Sequence, residues 1–453
     1  AAAGAAGILG GALPAAEGSV PDSYGFGSRA TAMAGANTAD AADFSAAYYN
    51  PAGLVEAPGV EVSAGYTYWS QQLTIDDRDN QVAPVHGLVG GVVAPGELFG
   101  IPFAFGVATH LPDNGVSFIY ARRQEVPRWE LYDTRAQLLY LSANLAIGLF
   151  DVIEIGGGIA YLSATRASFG IRGRADILSP YESQLQHEVD GDLTAVRFPQ
   201  LGARVRIPDW GAIGVTYRGQ SQLDLELDAH LEGIVEFAGI DVPLLYELEA
   251  KTIASFTPHQ LAVGLSFQRV EGLHVNFDLT WLNWSAYVSP TAKLAALLEV
   301  QPPPGTPVEL PDEPAPTVIV PPEFEDRFVP RFGVEYRIGL AGELRSVHGH
   351  EEPRPLLELP VRAGYVYEQS PVPDQTGPTN YVDADRHTVS AGLGVTLNAP
   401  AEELGGSLYL DVHGALSVLP ERTTLKASPA DFVGDYRAEG TMYGIGSTLG
   451  VVF

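Results

Sequence analysis

The sequence predicts an all-β fold, a 14-stranded antiparallel transmembrane β-barrel with a small N-terminal helical hatch, or plug. Three observations predict it. Alternation of apolar and polar residues recurs along most of the chain, the signature of strands whose two faces meet different environments. Nowhere do 18 consecutive apolar residues occur, so a transmembrane helix is excluded. The connections alternate between short turns and long polar loops, as they do at the two ends of an outer-membrane barrel.

Composition narrows the class further. The 453 residues include no cysteine, so there is no disulfide framework, thiolate metal site or thiol nucleophile. The net charge of −29, from 55 acids against 26 bases, argues against nucleic acid as a partner, since phosphates call for a basic footprint. An acidic exterior instead keeps loops solvated, or lets divalent cations bridge to anionic outer-membrane lipid and lipopolysaccharide.

The chain divides into a hatch over 1–57 and a barrel over 58–453, the hatch comprising an apolar extension (1–18) and a plug (19–57). "AAAGAAGILGGALPAA" (1–16) carries no charge and is too short to cross a bilayer as a helix, so it is expected inside the protein or against a partner. "DFSAAYYNPAGL" (43–54) is a rigid corner, because Pro51 stops a helix before it and cannot donate to a strand ladder.

Strand candidates follow near 60–74, 82–94, 101–110, 128–142, 153–168, 193–207, 211–228, 247–267, 273–287, 326–338, 359–369, 385–398, 406–420 and 436–453. In "LHVNFDLTWLNW", Leu273, Val275, Phe277, Leu279 and Trp281 share one face, with His274, Asn276, Asp278 and Thr280 on the other. "RHTVSAGLGVTLN" and "DRFVPRFGVEYRI" divide in the same way. Short turns are expected at 94–100, 208–211 and 269–272, and long polar loops at 170–192, 229–245 and 288–325. The last strand ends on Phe453, which resembles the C-terminal signal read by outer-membrane assembly machinery.

"GFGSRATAMAGANTADAADFSAAYYNPAGL" resembles the N-terminal hatch of the long-chain fatty acid transporter (FadL) family, in which small-residue helices end in an Asn-Pro-Ala turn inside the barrel. Two further stretches match in order: "TWLNWSAY" (280–287), and "YEQSPVPDQ" (367–375) followed by "DADRHTVSAGLG" (383–394). The resemblance implies an outer-membrane channel for passive uptake of long-chain fatty acids or other hydrophobic compounds. Asn50, Pro51 and Ala52 would form the hatch corner. A lateral opening at the third strand would lie at His110, Leu111, Pro112, Asp113, Asn114 and Gly115, although a strand simply ending at Leu111 reads equally well.

A carboxylate headgroup in the lumen needs cations, and alternation points Arg327, Arg331 and Arg386 inward, with Arg166 on the fifth strand. Any single one is expected to pair with an inward acid such as Glu335 and hold the hatch, with at least one left to meet ligand. The nine-proline stretch 301–322 reads as an extended outer loop, and 339–359 as an insertion where a short periplasmic turn belongs. That insertion is a possible docking surface for a periplasmic or envelope partner. The alternative function is therefore a non-transporting barrel of this type, an adaptor subunit of a secretion or envelope complex. His348, His350, Glu351 and Glu352 fit no fixed metal spacing, and no catalytic constellation or Gly-x-Ser-x-Gly elbow is present. No cofactor, metal or enzymatic activity is expected.

Overall fold

A computed structural model describes residues 20–113, 126–132, 139–176, 184–237, 240–288, 293–300, 320–340, 344–345, 354–399 and 406–453. Fourteen strands form the wall. In chain order they are β1 Glu61–Ile75, β2 Val85–Leu98, β3 Ile101–Pro112, β4 Tyr140–Leu149, β5 Ile153–Asp176, β6 Gln184–Ile207 and β7 Gly211–Arg218. They continue as β8 Gln260–Phe267, β9 Leu273–Leu282, β10 Arg327–Gly339, β11 Leu357–Glu368, β12 Arg386–Asn398, β13 Ser407–Thr424 and β14 Tyr436–Val452. Each pairs antiparallel with the next, and β1 closes on β14 from Glu61↔Val452 to Ile75↔Ala438. Closure removes every free edge in the wall, which a bilayer requires because it offers backbone groups no water.

The alternation reads out as a lipid-facing belt. Leu88, Phe105, Leu145, Leu201, Val263, Phe277, Phe332, Leu393 and Ile445 all point outward and are exposed, while the residues between them face the lumen. Aromatic rings gather towards both ends of this belt, with Trp210 and Phe267 near the short turns and Tyr66, Tyr217 and Tyr365 near the long loops. The short turns share an end with the start of β1 and the end of β14, which makes that end periplasmic.

Three expectations need correction. The fourth strand begins at Tyr140 rather than 128; Arg128–Trp129 instead pairs in parallel with Tyr381–Val382, and Trp129 is fully buried against Tyr132 and its neighbours. The loops expected at 170–192 and 229–245 are largely strand. Ser221–Phe237 and Ile240–Thr257 form a hairpin beyond the wall, joined in parallel to the upper end of β5 and on its other side to Lys293–Val300. Alternation such as Leu223, Leu225 and Leu227 sustains a ladder wherever a partner strand is at hand, with or without lipid. For the same reason 288–325 is not loop throughout, since Lys293–Val300 lies within it.

Inside the wall lie three short helices, α1 Val20–Tyr24, α2 Ser28–Ala32 and α3 Ala46–Tyr49, and a 3-10 turn at Pro51–Glu56. Ala30, Ala32, Ala36, Ala46, Ala47 and Ala52 are fully buried, so small side chains let backbone lie against wall. At the corner, Asn50 Oδ1 accepts from Ala52 N–H at 3.1 Å, while Nδ2 donates to the carbonyls of Thr38 at 2.7 Å and Ala203 at 3.2 Å. The wall is recessed to receive it. A Cβ on Gly156 would stand 2.5 Å from the Pro51 carbonyl carbon, and one on Gly202 would stand 2.0 Å from Asn50 Oδ1.

Candidate ligand-binding lumen

The hatch is fastened near the periplasmic end by buried charge. Glu335, on β10 and wholly inaccessible, receives Arg29 of α2 at 3.1 Å, Arg337 at 2.9 Å and Arg362 of β11 at 2.5 Å. Arg29 also reaches Asp40 at 2.6 Å, and Arg362 reaches Asp411 of β13 at 2.6 Å. Asp40 is further contacted by His274 at 3.1 Å and Asn276 Nδ2 at 3.1 Å. On the opposite wall, Arg204 donates to the Ala39 carbonyl and to Glu154, each at 2.8 Å. Every charge has a partner, so the cluster tolerates burial, and removing one member would strand the others.

Above the hatch lies a cavity of about 140 Å³. Its aromatic lining is Tyr24, Tyr48, Tyr49, Trp69, Tyr132 and Trp284, which offer flat apolar faces with polar edges. The acids in the lining are engaged or set aside. Asp22 accepts from the Tyr48 hydroxyl and, at 2.8 Å, from Gln260; Asp278 accepts from Asn37 and Thr38 N–H at 2.9 and 2.8 Å; Glu368 pairs with Arg386. Asp383 is buried in the connection between β11 and β12, and this burial pushes its carboxyl up to about 7.

The four arginines singled out from the sequence meet different fates. Arg331 and Arg386 line the cavity. Arg386 is occupied by Glu368 and donates to the Ser23 carbonyl at 3.1 Å. Arg331 is not so occupied: its hydrogen bond is to Thr280 Oγ1 at 2.8 Å, and it enters no ion pair among the described residues. Arg327 turns to Glu325 at 2.9 Å and the Ser370 carbonyl at 2.7 Å, because it stands at the mouth of the barrel rather than down the lumen. Arg166 sits in β5 opposite Asp192, and its side chain lies outside the described residues.

Sequence reasoning missed Arg218. It lines the cavity, donates to Gln260 Oε1 at 2.6 Å and to the Tyr48 carbonyl at 3.0 Å, and stacks 4.4 Å over the Tyr48 ring. The signal was available, since Ala212, Gly214, Thr216 and Arg218 share one face of β7.

Along β3, pairing with β2 runs unbroken from Ile101 to Pro112 and with β4 from Phe103 to His110. His110 points inward, is 1% exposed, and finds no hydrogen-bond partner for either ring nitrogen. Leu111 faces outward, and Asp113 just past the strand accepts from the Tyr66 hydroxyl at 2.5 Å. Asn114 and Gly115 lie outside the described residues. So do 1–19, most of the proline-rich stretch, and His348, His350, Glu351 and Glu352 of the periplasmic insertion.

The model of a family described as outer membrane protein transport protein (OMPP1/FadL/TodX) matches residues 9–338. Alkane uptake protein A of Marinobacter nauticus is 23% identical over 370 residues, covering 78% of this chain and 73% of that protein. A solved FadL homologue of Pseudomonas aeruginosa superposes with a TM-score of 0.53 at 14% identity, covering 94% of this chain and 97% of its own. The CymD monoaromatic hydrocarbon channel does so with a TM-score of 0.53 at 16% identity, covering 93% and 97%. At those identities the two structures speak for the fold alone.

Proposed function

The chain belongs to the OMPP1/FadL/TodX family of outer-membrane transport proteins, and from that premise we propose that it admits a long-chain fatty acid, or a hydrocarbon of comparable length, by passive diffusion. The observation that carries this reading is Arg331, a half-buried cation on the wall of an aromatic-lined cavity that forms no salt bridge among the described residues, its cross-strand neighbour Asp278 being taken up by the Asn37 and Thr38 N–H groups. A partly desolvated guanidinium is stabilised by an anionic group, and a fatty acid brings one attached to a chain that the rings can hold. Arg218 is a second such donor, already half-committed to Gln260 and Tyr48. The relative named for alkane uptake supports the hydrophobic half of the ligand.

The ligand then leaves sideways at the end of β3, between His110 and Gly115. What supports this exit is the state of His110, which stands on the last rung of the β3–β4 ladder, opposite Tyr140, and is buried with both nitrogens unpaired. A buried polar group without a partner costs about 1–3 kcal/mol, so this rung of the seam carries an uncompensated cost. Purified barrel in liposomes, given a labelled long-chain fatty acid outside, should bind it saturably and pass it to the vesicle interior. Folded protein without saturable binding would overturn the reading.

A further inference from the structure

We propose that the bilayer-facing wall at β7, β8 and β9 carries a phospholipid site, filled from the periplasmic leaflet by one acyl chain and its phosphate. This inference is independent of the transported ligand. A groove of about 360 Å³ runs over Ile207, Ile213, Leu265, Phe267, Val275 and Phe277, and its accessible lining is almost wholly apolar. Most of these side chains point away from the lumen, so the groove opens to lipid tails and not to the transport cavity.

At its periplasmic end the groove is capped by a pair of groups suited to a headgroup. Trp210 lines the groove, is 52% exposed, and sits edge-on to Phe267 with ring centroids 6.1 Å apart. The Arg269 guanidinium lies 4.4 Å over the Trp210 ring and enters no ion pair among the described residues. The two turns that carry this pair are joined, since Gln268 N–H donates to the Trp210 carbonyl at 2.8 Å. Trp and Arg at the level where acyl chains meet headgroups bind, respectively, the glycerol region and the phosphate.

Charge on these turns also selects a headgroup. Asp209 and Glu271 flank Trp210 and Arg269 and are exposed, so a headgroup whose phosphate is not balanced by a cation of its own is repelled. Phosphatidylethanolamine carries one phosphate for Arg269 and one ammonium whose N–H groups can donate to the carboxylates, which the quaternary nitrogen of phosphatidylcholine cannot do, and so matches the mixed surface. The inner side of the same wall is where the hatch is seated. Asn276, which borders the groove, donates to the Ala36 carbonyl at 2.9 Å and to Asp40 at 3.1 Å. A lipid held in the groove therefore packs against the strands that fix the plug.

The test is native mass spectrometry of the barrel released in mild nonionic detergent and titrated with palmitoyl-oleoyl phosphatidylethanolamine, phosphatidylcholine or phosphatidylglycerol. Wild type should take up one phosphatidylethanolamine well before any further adduct, at least fivefold more tightly than the other two lipids. R269E and W210A should each weaken that first adduct tenfold or more, while Leu393→Ala, on a distant lipid-facing strand, leaves it unchanged. Heat-modifiable migration on gels establishes that each variant is folded, and R269E, being on an exposed turn, serves if W210A is not. Equal, stepwise adducts for all three lipids, or an unaltered first adduct in R269E, would overturn the proposal in favour of an undifferentiated lipid annulus.

Discussion

Gly202 on β6 faces Asn50 of the hatch so closely that a Cβ added to it would stand 2.0 Å from the Asn50 Oδ1. The corner and its recess are thus a matched pair. Gly202→Ala should push the corner off the wall, at a cost of about 1–3 kcal/mol of overpacking. Leakage of a small hydrophilic dye from proteoliposomes is expected to rise severalfold in this variant. Leakage equal to wild type would mean that the hatch does not rely on this contact.

Arg331 is expected to set the preference for an acidic ligand. Charge-assisted hydrogen bonds contribute about 1.5–3 kcal/mol, so Arg331→Gln should weaken binding of a long-chain fatty acid roughly tenfold to a hundredfold. An alkane of the same length has nothing to offer the guanidinium and should bind both forms alike. Titration of the two ligands against both proteins by intrinsic fluorescence checks this. Parallel losses for acid and alkane would point to a collapsed cavity rather than a lost headgroup contact.

Glu335 is the hub of the lower lock. Replacing it with glutamine leaves Arg29, Arg337 and Arg362 facing a neutral group, with only Asp40 and Asp411 left to compensate. Breaking a buried pair in this way costs on the order of 3–5 kcal/mol. The expected outcome is a lower thermal midpoint in detergent and faster protease cleavage of the hatch, with the barrel itself still heat-modifiable. A hatch as resistant as wild type would count against the lock.

How much of this was legible in the sequence follows from what a bilayer imposes. Lipid demands an apolar residue at every second wall position, so the outward faces at Phe277, Leu393 and Ile445 could be read from alternation, as could the number of strands. The corner was legible because proline is locally decisive. Alternation gives the side of the wall and not the height on it. Arg327 and Arg331 share an inward face, yet the first is spent at the mouth on Glu325 and the second lines the cavity, bonded to Thr280 and without a salt bridge among the described residues. Trp129 reads like a strand residue but belongs to a roof, because its partner segment lies over 200 residues away at Tyr381–Val382. The lock was hidden for the same reason: Arg29 and Glu335 are 306 residues apart, and no local pattern joins them.

The roof over the cavity should respond to pH through Asp383. Its Oδ1 has no hydrogen-bond partner, and burial raises the carboxyl from 3.8 to about 7, outweighing the opposing pull of Ser370, Ala384 N–H, Arg386 and Arg422. A group whose folded value is raised binds its proton more tightly when folded, so its contribution to stability is fully present below 3.8 and is lost as the pH climbs through about 7. The full loss is on the order of 4 kcal/mol if the charged form has to remain buried, which is enough to open the connection locally. Asp383 lines the cavity beside Ala384, and the neighbouring Val382 is paired with Trp129, so opening there uncovers the lumen from the outside. Protection factors across 369–385, that is, exchange corrected for its intrinsic base catalysis, should therefore fall between pH 5.5 and 8.5, and Asp383→Asn, which cannot ionise, should keep them high and constant. Entry of a neutral alkane into proteoliposomes should follow the same profile, rising with pH in wild type and holding constant in the variant. An alkane is the necessary probe, because the ionisation of a fatty acid itself shifts over this range and would mask the gate. Protection factors that hold or grow as the pH rises would place the charged carboxylate in a site compensated by Ser370, Arg386 and Arg422, and remove the basis for a pH-dependent roof.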